Sequence, residues 1–407
     1  MKSIGNKLIC LLYTVILLIG CTDKQNNCNI IDLEAAIHNV ENLNLSTYAS
    51  SVDYIPMGLQ DSVLLGDIAY NKFFVDGEHI FVVAPGMKTI YMFDKNGKLI
   101  KSIGKLGRAK GEYSVARTIK YDADKLIVEG GSAAVIYSVE DGNCLGDFKF
   151  NSLFDTTEDI VLMGKGGKKQ TLSNMVVGSI LFKNNEFYLA VGDNQTLEQF
   201  LLIVDMDMSI KSSVGIRKSE VRNSFNRVMT GKLHLFNDTV NLFHGLKDTV
   251  YSLVDGKLIP RIGINYGDFQ TLETQKSRKS ANESIQVAAG YPFMESASMI
   301  AGTVYLPASG IVYRNGSQYS NFIYDKVERK TFILDYSQEF DMAGFINDID
   351  GGMPFWPQRI RENKMYSFVD AGKFIDMSKR CNSAKMKEVA SILTYESNPV
   401  LIEVTLK

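Results

Sequence analysis

Apolar residues in this chain fall in short alternating runs, each stopped by glycine, asparagine or aspartate. Residues 79–84, 89–94 and 98–103 are β-branched and aromatic, and they are separated by Pro85-Gly86 and Asn96-Gly97. Period-two alternation bounded by such dipeptides predicts antiparallel strands joined by tight turns. After Tyr113 the pattern restarts with 117–121, 126–129, 134–139 and, past Asp141-Gly142-Asn143, 145–150. These runs make one small sheet. A four-stranded sheet cannot cover both of its faces, so sheets of this size repeated along a chain stack radially around an axis.

A recurring third strand, apolar and ending at an acidic turn, counts the repeats at 90–94, 135–139, 201–205, 249–254, 321–325 and 400–406. Six repeats predict an all-β, six-bladed β-propeller. Inner strands are expected at 68–72, 117–121, 175–182, 226–230, 295–300 and 344–349. The sixth repeat has no outer strand after 400–406, whereas 51–57 is a spare strand ahead of the first. Pairing the two would close the ring and hide a bare edge. Two stretches have helical spacing: 30–43, through Leu33, Ile37, Val40 and Leu43, and 373–394, through Met386, Val389, Ala390 and Leu393. Segments 217–224 and 269–284 are further insertions between blades.

Gly107-Arg108-Ala109-Lys110-Gly111-Glu112-Tyr113 resembles the G-x-G-x-G-E-F/Y signature between blades of NHL-type repeats, with Ala109 as a departure and Ser114 where proline is common. Val52-Asp53-Tyr54-Ile55-Pro56, Lys247-Asp248-Thr249-Val250-Tyr251, Asp350-Gly351-Gly352-Met353-Pro354-Phe355-Trp356-Pro357 and Asn398-Pro399-Val400-Leu401 are similar to segments of the same group. The resemblance is to six-bladed β-propeller lipoproteins of Bacteroidota with NHL-like repeats. It implies the propeller fold and specifies no ligand.

The N-terminus gives an address. Lys2 and Lys7 precede an apolar run at 8–19, too short to span a bilayer, followed by Gly20 and Cys21. Residues 1–20 therefore read as a signal peptide, and Leu18-Ile19-Gly20-Cys21 resembles a bacterial lipobox, which would make Cys21 the lipidated first residue of the mature protein. Residues 21–50 would form a tether and short N-terminal segment, and 51–407 the propeller. Asp23 alone is acidic in the polar stretch 22–27, which favours an outer-membrane protein facing the periplasm, with surface exposure as the alternative.

Composition narrows the chemistry. With Lys2 and Lys7 set aside, 42 basic residues face 46 acidic ones, which is no nucleic-acid footprint. Cys28, Cys144 and Cys381 form no C-x-x-C pair, so neither a disulfide framework nor a zinc site is expected. The four histidines, His38, His79, His234 and His244, are too few for a metal cluster or a nucleophile–histidine–acid triad, and no cofactor motif occurs. Gly164 to Lys169 reads as a solvated basic loop.

Residues at the entrances to inner strands surround the channel of a propeller. Tyr113, Arg117, Arg227, Phe293, Glu295, Phe355 and Trp356 are the candidate ligand-binding set, with arginines for acidic groups and aromatics for stacking. The alternative for Tyr113 and Trp356 is a wedge between blades. Two function classes follow. One is an envelope-anchored binding or scaffold module for a glycan, peptide or protein partner. The other is a propeller hydrolase or lyase working through Asp348, Asp350 or Glu295, which would require those acids to converge in one pocket.

Overall fold

A computed structural model describes residues 29–37, 40–59, 63–69, 71–84, 86, 89–154, 175–216, 230–243, 249–266, 288–305 and 319–407. Six small antiparallel sheets stand around one axis. From the innermost strand outward, blade 1 is Phe73–Val75, His79–Val83, Ile90–Asp94 and Leu99–Ile103. Blade 2 is Thr118–Asp122, Lys125–Glu129, Ala133–Ser138 and Cys144–Lys149. Blade 3 is Met175–Lys183, Glu186–Asp193, Gln199–Asp205 and Ile210–Ile216. Blade 4 is Lys232–Phe236, Thr239–Phe243, Thr249–Val254 and Lys257–Asn265, and blade 5 is Ala288–Glu295, Met299–Tyr305, Tyr319–Asp325 and Lys330–Leu334. Blade 6 is Arg359–Arg361, Lys364–Val369, Val400–Leu406 and, as its outer strand, Ala49–Pro56.

Turn chemistry sets the register. Ala123-Asp124, Asn184-Asn185, Asn237-Asp238 and Asp255-Gly256 each have positive φ at both positions. That is the type I′ geometry whose twist matches the strands it joins. The third-strand count agrees with the structure in all six blades. Inner strands agree in blades 2 and 3, but those of blades 1, 4 and 6 lie at Phe73–Val75, Lys232–Phe236 and Arg359–Arg361, later than expected, and in blade 5 the expected segment begins only where Ala288–Glu295 ends. His234 is consequently on an inner strand and not on a second strand.

The core follows from strand alternation. Successive residues point to opposite faces, so each blade feeds two apolar layers. In blade 1, Ile80, Val82 and Phe93 face Tyr366, Phe368 and Leu401 of blade 6. Phe81, Val83 and Met92 face Ile119, Val128 and Val135 of blade 2. Six buried clusters result, one for each junction between neighbouring blades. The radial stack is what gives every sheet a second covered face.

Closure occurs where the spare strand predicted it. Ala49–Pro56 pairs antiparallel with Val400–Leu406, with Val400 opposite Pro56 and Glu403 opposite Asp53. The preceding segment differs from the helix expected at 30–43. Among the described residues of this segment the helix is Leu33–Ile37, and it is flanked by Asn29–Asp32, parallel to the outer strand of blade 4, and Val40–Glu41, parallel to the outer strand of blade 5. The backbone N–H of Leu45 then donates to the Ile346 carbonyl, 2.8 Å away. Open edges compete for this segment with more hydrogen bonds than a short helix makes internally. It runs as a strap across blades 4, 5 and 6. The predicted helical insertion is present as Ala371–Arg380 and Ala384–Ser391, capped by Asp370 and Ser383.

Candidate functional site: the inner ring

The inner strand of each blade has one edge with no further strand to pair with. Its carbonyls need donors, because an unpaired buried backbone group costs about as much as a lost hydrogen bond. Cations supply several of them. Lys72 Nζ donates to the carbonyls of Ala116 and Arg117, 2.7 and 2.9 Å away, linking blade 1 to blade 2. Lys120 links blade 2 to blade 3 through the Ile180 carbonyl, and Lys232 links blade 4 back to blade 3 through the Gly178 carbonyl at 3.0 Å. Gly178 is required here because a Cβ would lie 1.4 Å from Thr230 Oγ1, so a side chain would push blade 4 away from that strand. Between blades 6 and 1, Arg361 reaches the Val75 carbonyl at 3.4 Å and lies over the rings of Phe74 and Tyr121.

Two of these cations, Lys120 and Lys232, gather near one carboxylate. Lys120 Nζ is 2.5 Å from Glu129 Oε1. Burial pushes the Glu129 carboxyl upward, and the charges of Lys120, Lys232 and Arg359 act against that rise. The Arg359 guanidinium sits over the Phe73 and Phe74 rings, 5.4 and 5.1 Å from their centroids. Lys72 is depressed by desolvation and then by the Arg117 guanidinium. Lys232 keeps exposed surface, yet desolvation depresses it; Glu129 opposes the effect and Lys120 adds to it. Lys120 and Lys232 are held by carbonyls two residues apart on one strand, and their like charges repel.

A second cluster lies between blades 4 and 5. Glu295 is 1% exposed; Arg261 holds both its oxygens at 2.6 Å, Lys326 lies 2.7 Å from Oε1, and His234 Nε2 is 3.6 Å from Oε2. The Phe236 ring is shared by Arg261 and Lys326, at 5.3 and 4.0 Å. Burial alone would raise the Glu295 carboxyl, but the bonds from Arg261, the nearby His234 ring and the charges of Arg261 and Lys326 outweigh it and bring it to about 2.

The candidate residues named from the sequence do not form one ring. Arg117 is at the inner ends of blades 1 and 2, exposed, its guanidinium lying against Gly131. Glu295 closes an inner strand but is consumed by the cluster just described. Tyr113 is a wedge: it is 2% exposed and meets Tyr137 edge-on at the junction of blades 1 and 2. Gly104, at φ +70°, leaves room for both rings, since a Cβ there would come within 2.7 Å of Tyr137. Phe355 is 2% exposed and bridges antiparallel to Phe345, while Trp356 stacks on Phe345 at 6.2 Å and 25°. Both precede the inner strand of blade 6 and pack with the core between blades 5 and 6, so they form no stacking platform with Tyr113. Phe293 lies in Ala288–Glu295 with its side chain outside the described residues, as are Arg227 and the lipidation candidate Cys21. Lys72, Lys120, Lys232 and Arg359 were not singled out from the sequence. Their common signal is a basic residue in or beside a short inner strand of successive repeats.

The acids proposed for catalysis also lie apart. Asp348 accepts from the backbone N–H and hydroxyl of Ser46, at 2.9 and 2.5 Å. Asp350 accepts from Tyr54, Asn347, the Gly352 N–H and Ser383, the residue that caps Ala384–Ser391. Both therefore fasten the strap and helices to blade 6, and neither shares a partner with Glu295. Among the described residues no three His, Cys, Asp or Glu side chains gather to hold a metal ion, and no described helix is long and apolar enough to cross a membrane.

The family model described as "Domain of unknown function (DUF4934)" matches residues 28–405, which includes the strap and every blade. The chain belongs to the DUF4934 family. Among solved structures, this DUF4934 chain is similar to a protein of Bacteroides fragilis assigned as exported, with TM-score 0.61 at 12% identity over 93% of this chain and 99% of that one. At that identity the likeness shows the fold. A member of the DUF4221 family from Bacteroides vulgatus aligns with TM-score 0.45 at 9% identity, over 88% of this chain and 97% of that one. No curated protein matches.

Proposed function

We propose that this DUF4934 protein is an envelope-anchored binding module, related to the NHL-like propeller lipoproteins, that takes a glycan, peptide or partner segment at the mouth of its central channel. The supporting observation is the contrast between engaged acids and clustered cations. Asp348, Asp350 and Glu295 are each occupied by separate structural partners, so no acid–base pair stands ready for hydrolysis. Lys72, Arg117, Lys120 and Lys232 converge on the inner ends of neighbouring blades, where propellers present ligand sites. The signal segment and Cys21 support anchoring, and the exported relative accords with passage across the inner membrane.

Two measurements test this. Cys21→Ser is expected to move the protein from the membrane to the soluble fraction; persistence in the membrane pellet counts against the anchor. Thermal-shift screening of the mature protein against envelope oligosaccharides and peptides is expected to give ligands whose shift disappears in Arg117→Trp, which obstructs the mouth. Mass-spectrometric detection of cleaved products in the same incubations would favour the hydrolase or lyase reading instead.

A further inference from the structure

We propose that the ligand taken at this mouth is a multiply charged oxyanion, bearing carboxylate, sulfate or phosphate groups, received by Lys72, Arg117, Lys120, Lys232 and Arg359. This inference rests on the binding reading and assigns its ligand class.

The carbonyls of the inner edge do not by themselves explain the charges. A carbonyl needs a hydrogen-bond donor, and a neutral amide suffices: Asn71 Nδ2 already donates to the Arg117 carbonyl at 3.0 Å, the same oxygen that Lys72 reaches at 2.9 Å. Around blades 1 to 4 the same task falls to lysines, placed so that their charges repel. Lys120, Lys232 and Arg359 act on the Glu129 carboxylate, and Lys72 and Arg117 repel each other beside blade 2.

Geometry favours more than one acidic group on the ligand. Lys120 and Lys232 flank the inner strand of blade 3, held by carbonyls two residues apart, and Arg117 stands exposed near Lys72 on the other side of blade 2. An ammonium carries three N–H donors; Lys72 directs two to carbonyls, and Lys232 directs one to Gly178. Arg117 adds a planar fork suited to a carboxylate or a tetrahedral oxyanion. An arriving oxyanion would relieve the like-charge repulsion and gain hydrogen bonds, a differential that a neutral ligand lacks.

The test is titration calorimetry on mature protein with citrate, inorganic sulfate, an oligogalacturonate and its uncharged galactose counterpart, at low and at moderate salt. Expected are binding of citrate and oligogalacturonate, affinity falling steeply as salt rises, and no heat from the neutral oligomer. Arg117→Gln, at an exposed position outside the core, and Lys232→Met are each expected to weaken binding at least tenfold. Binding of sulfate and citrate without the oligomer would still support the inference and would identify a small free anion as the source. No binding of any anion, or binding unchanged in both variants, overturns it. A neutral oligosaccharide bound as tightly as the acidic one would leave the binding module standing and refute the charge assignment. Cleavage of a variant-sensitive acidic oligomer would do the reverse.

Discussion

The two charge clusters of the inner ring use the same residue types in opposite ways. Around Glu295, between blades 4 and 5, a buried carboxylate is surrounded on all sides: Arg261 grips both oxygens, Lys326 and His234 complete the shell, and Phe236 carries the two cations. Around Glu129, near blades 2 to 4, a single ammonium makes the close contact while the charges of Lys232 and Arg359 act from farther off. The first cluster grips its carboxylate from several sides, whereas the second, among the described residues, gathers several cations near one carboxylate, and that difference separates a structural ion network from a candidate receptor.

The most severe way to break the comparison is to remove the carboxylate of the complete cluster. Glu295→Gln leaves Arg261 and Lys326 buried without their counter-charge and is expected to cost about 3–5 kcal/mol in chemical denaturation. A loss below about 1 kcal/mol would mean that the cluster is no more tightly built than its counterpart. Acid titration probes the same contact. The Glu295 carboxyl is at about 2 in the fold against an ordinary 4.5, so its contribution is fully present above pH 4.5 and is lost as pH falls toward 2. From that shift the difference between wild type and Glu295→Gln should shrink by roughly 3 kcal/mol across this window. Burial also holds His234 below its usual 6.5, so it opposes protonation in the fold, and stability should begin to decline as pH drops through 6.5.

Smaller effects are expected at the other cluster. Lys120→Met removes the close partner of Glu129 and should cost about 1–3 kcal/mol by denaturant midpoint, the range for a buried polar group left unsatisfied. Lys232→Met should change stability by less than about 1 kcal/mol in either direction, since the lost carbonyl bond is offset by relief of repulsion. A large destabilisation by Lys232→Met would make that lysine a structural strut and weaken the functional reading of the whole group.

What was legible in the sequence follows the strength of the local pattern. Third strands such as Thr249–Val254 and Val400–Leu406 are long, apolar on alternate residues and stopped by a turn, and the expected boundaries match them. The pairing of Ala49–Pro56 with the last strand was legible because one spare strand at the start and one missing strand in the last repeat have a single simple solution. Inner strands carry little signal: Phe73–Val75 and Arg359–Arg361 are three residues each, and the latter reads Arg-Ile-Arg because it faces a polar lumen. The site was misjudged for a related reason. Tyr113, Phe355 and Trp356 look alike in sequence whether they line a mouth or fill a seam, and burial beside Tyr137 and Phe345 decides for the seam. The strap was misread as a helix because Leu33 and Ile37 have helical spacing, while the strand edges that capture its flanks lie more than two hundred residues away.

That strap and the closing strand also constrain the order of events during biosynthesis. Ser50 and Thr405, which meet across the closed blade, are 355 positions apart. The earliest part of the propeller made by the ribosome must therefore stay unpaired until nearly the last residue has emerged, while blades 1 to 5 are able to assemble around it. Contacts of such separation slow folding because the loop must be closed before they reward it. Until then the waiting strand and the bare edges of blades 4, 5 and 6 are exposed together, the interval in which a chaperone would have most to protect.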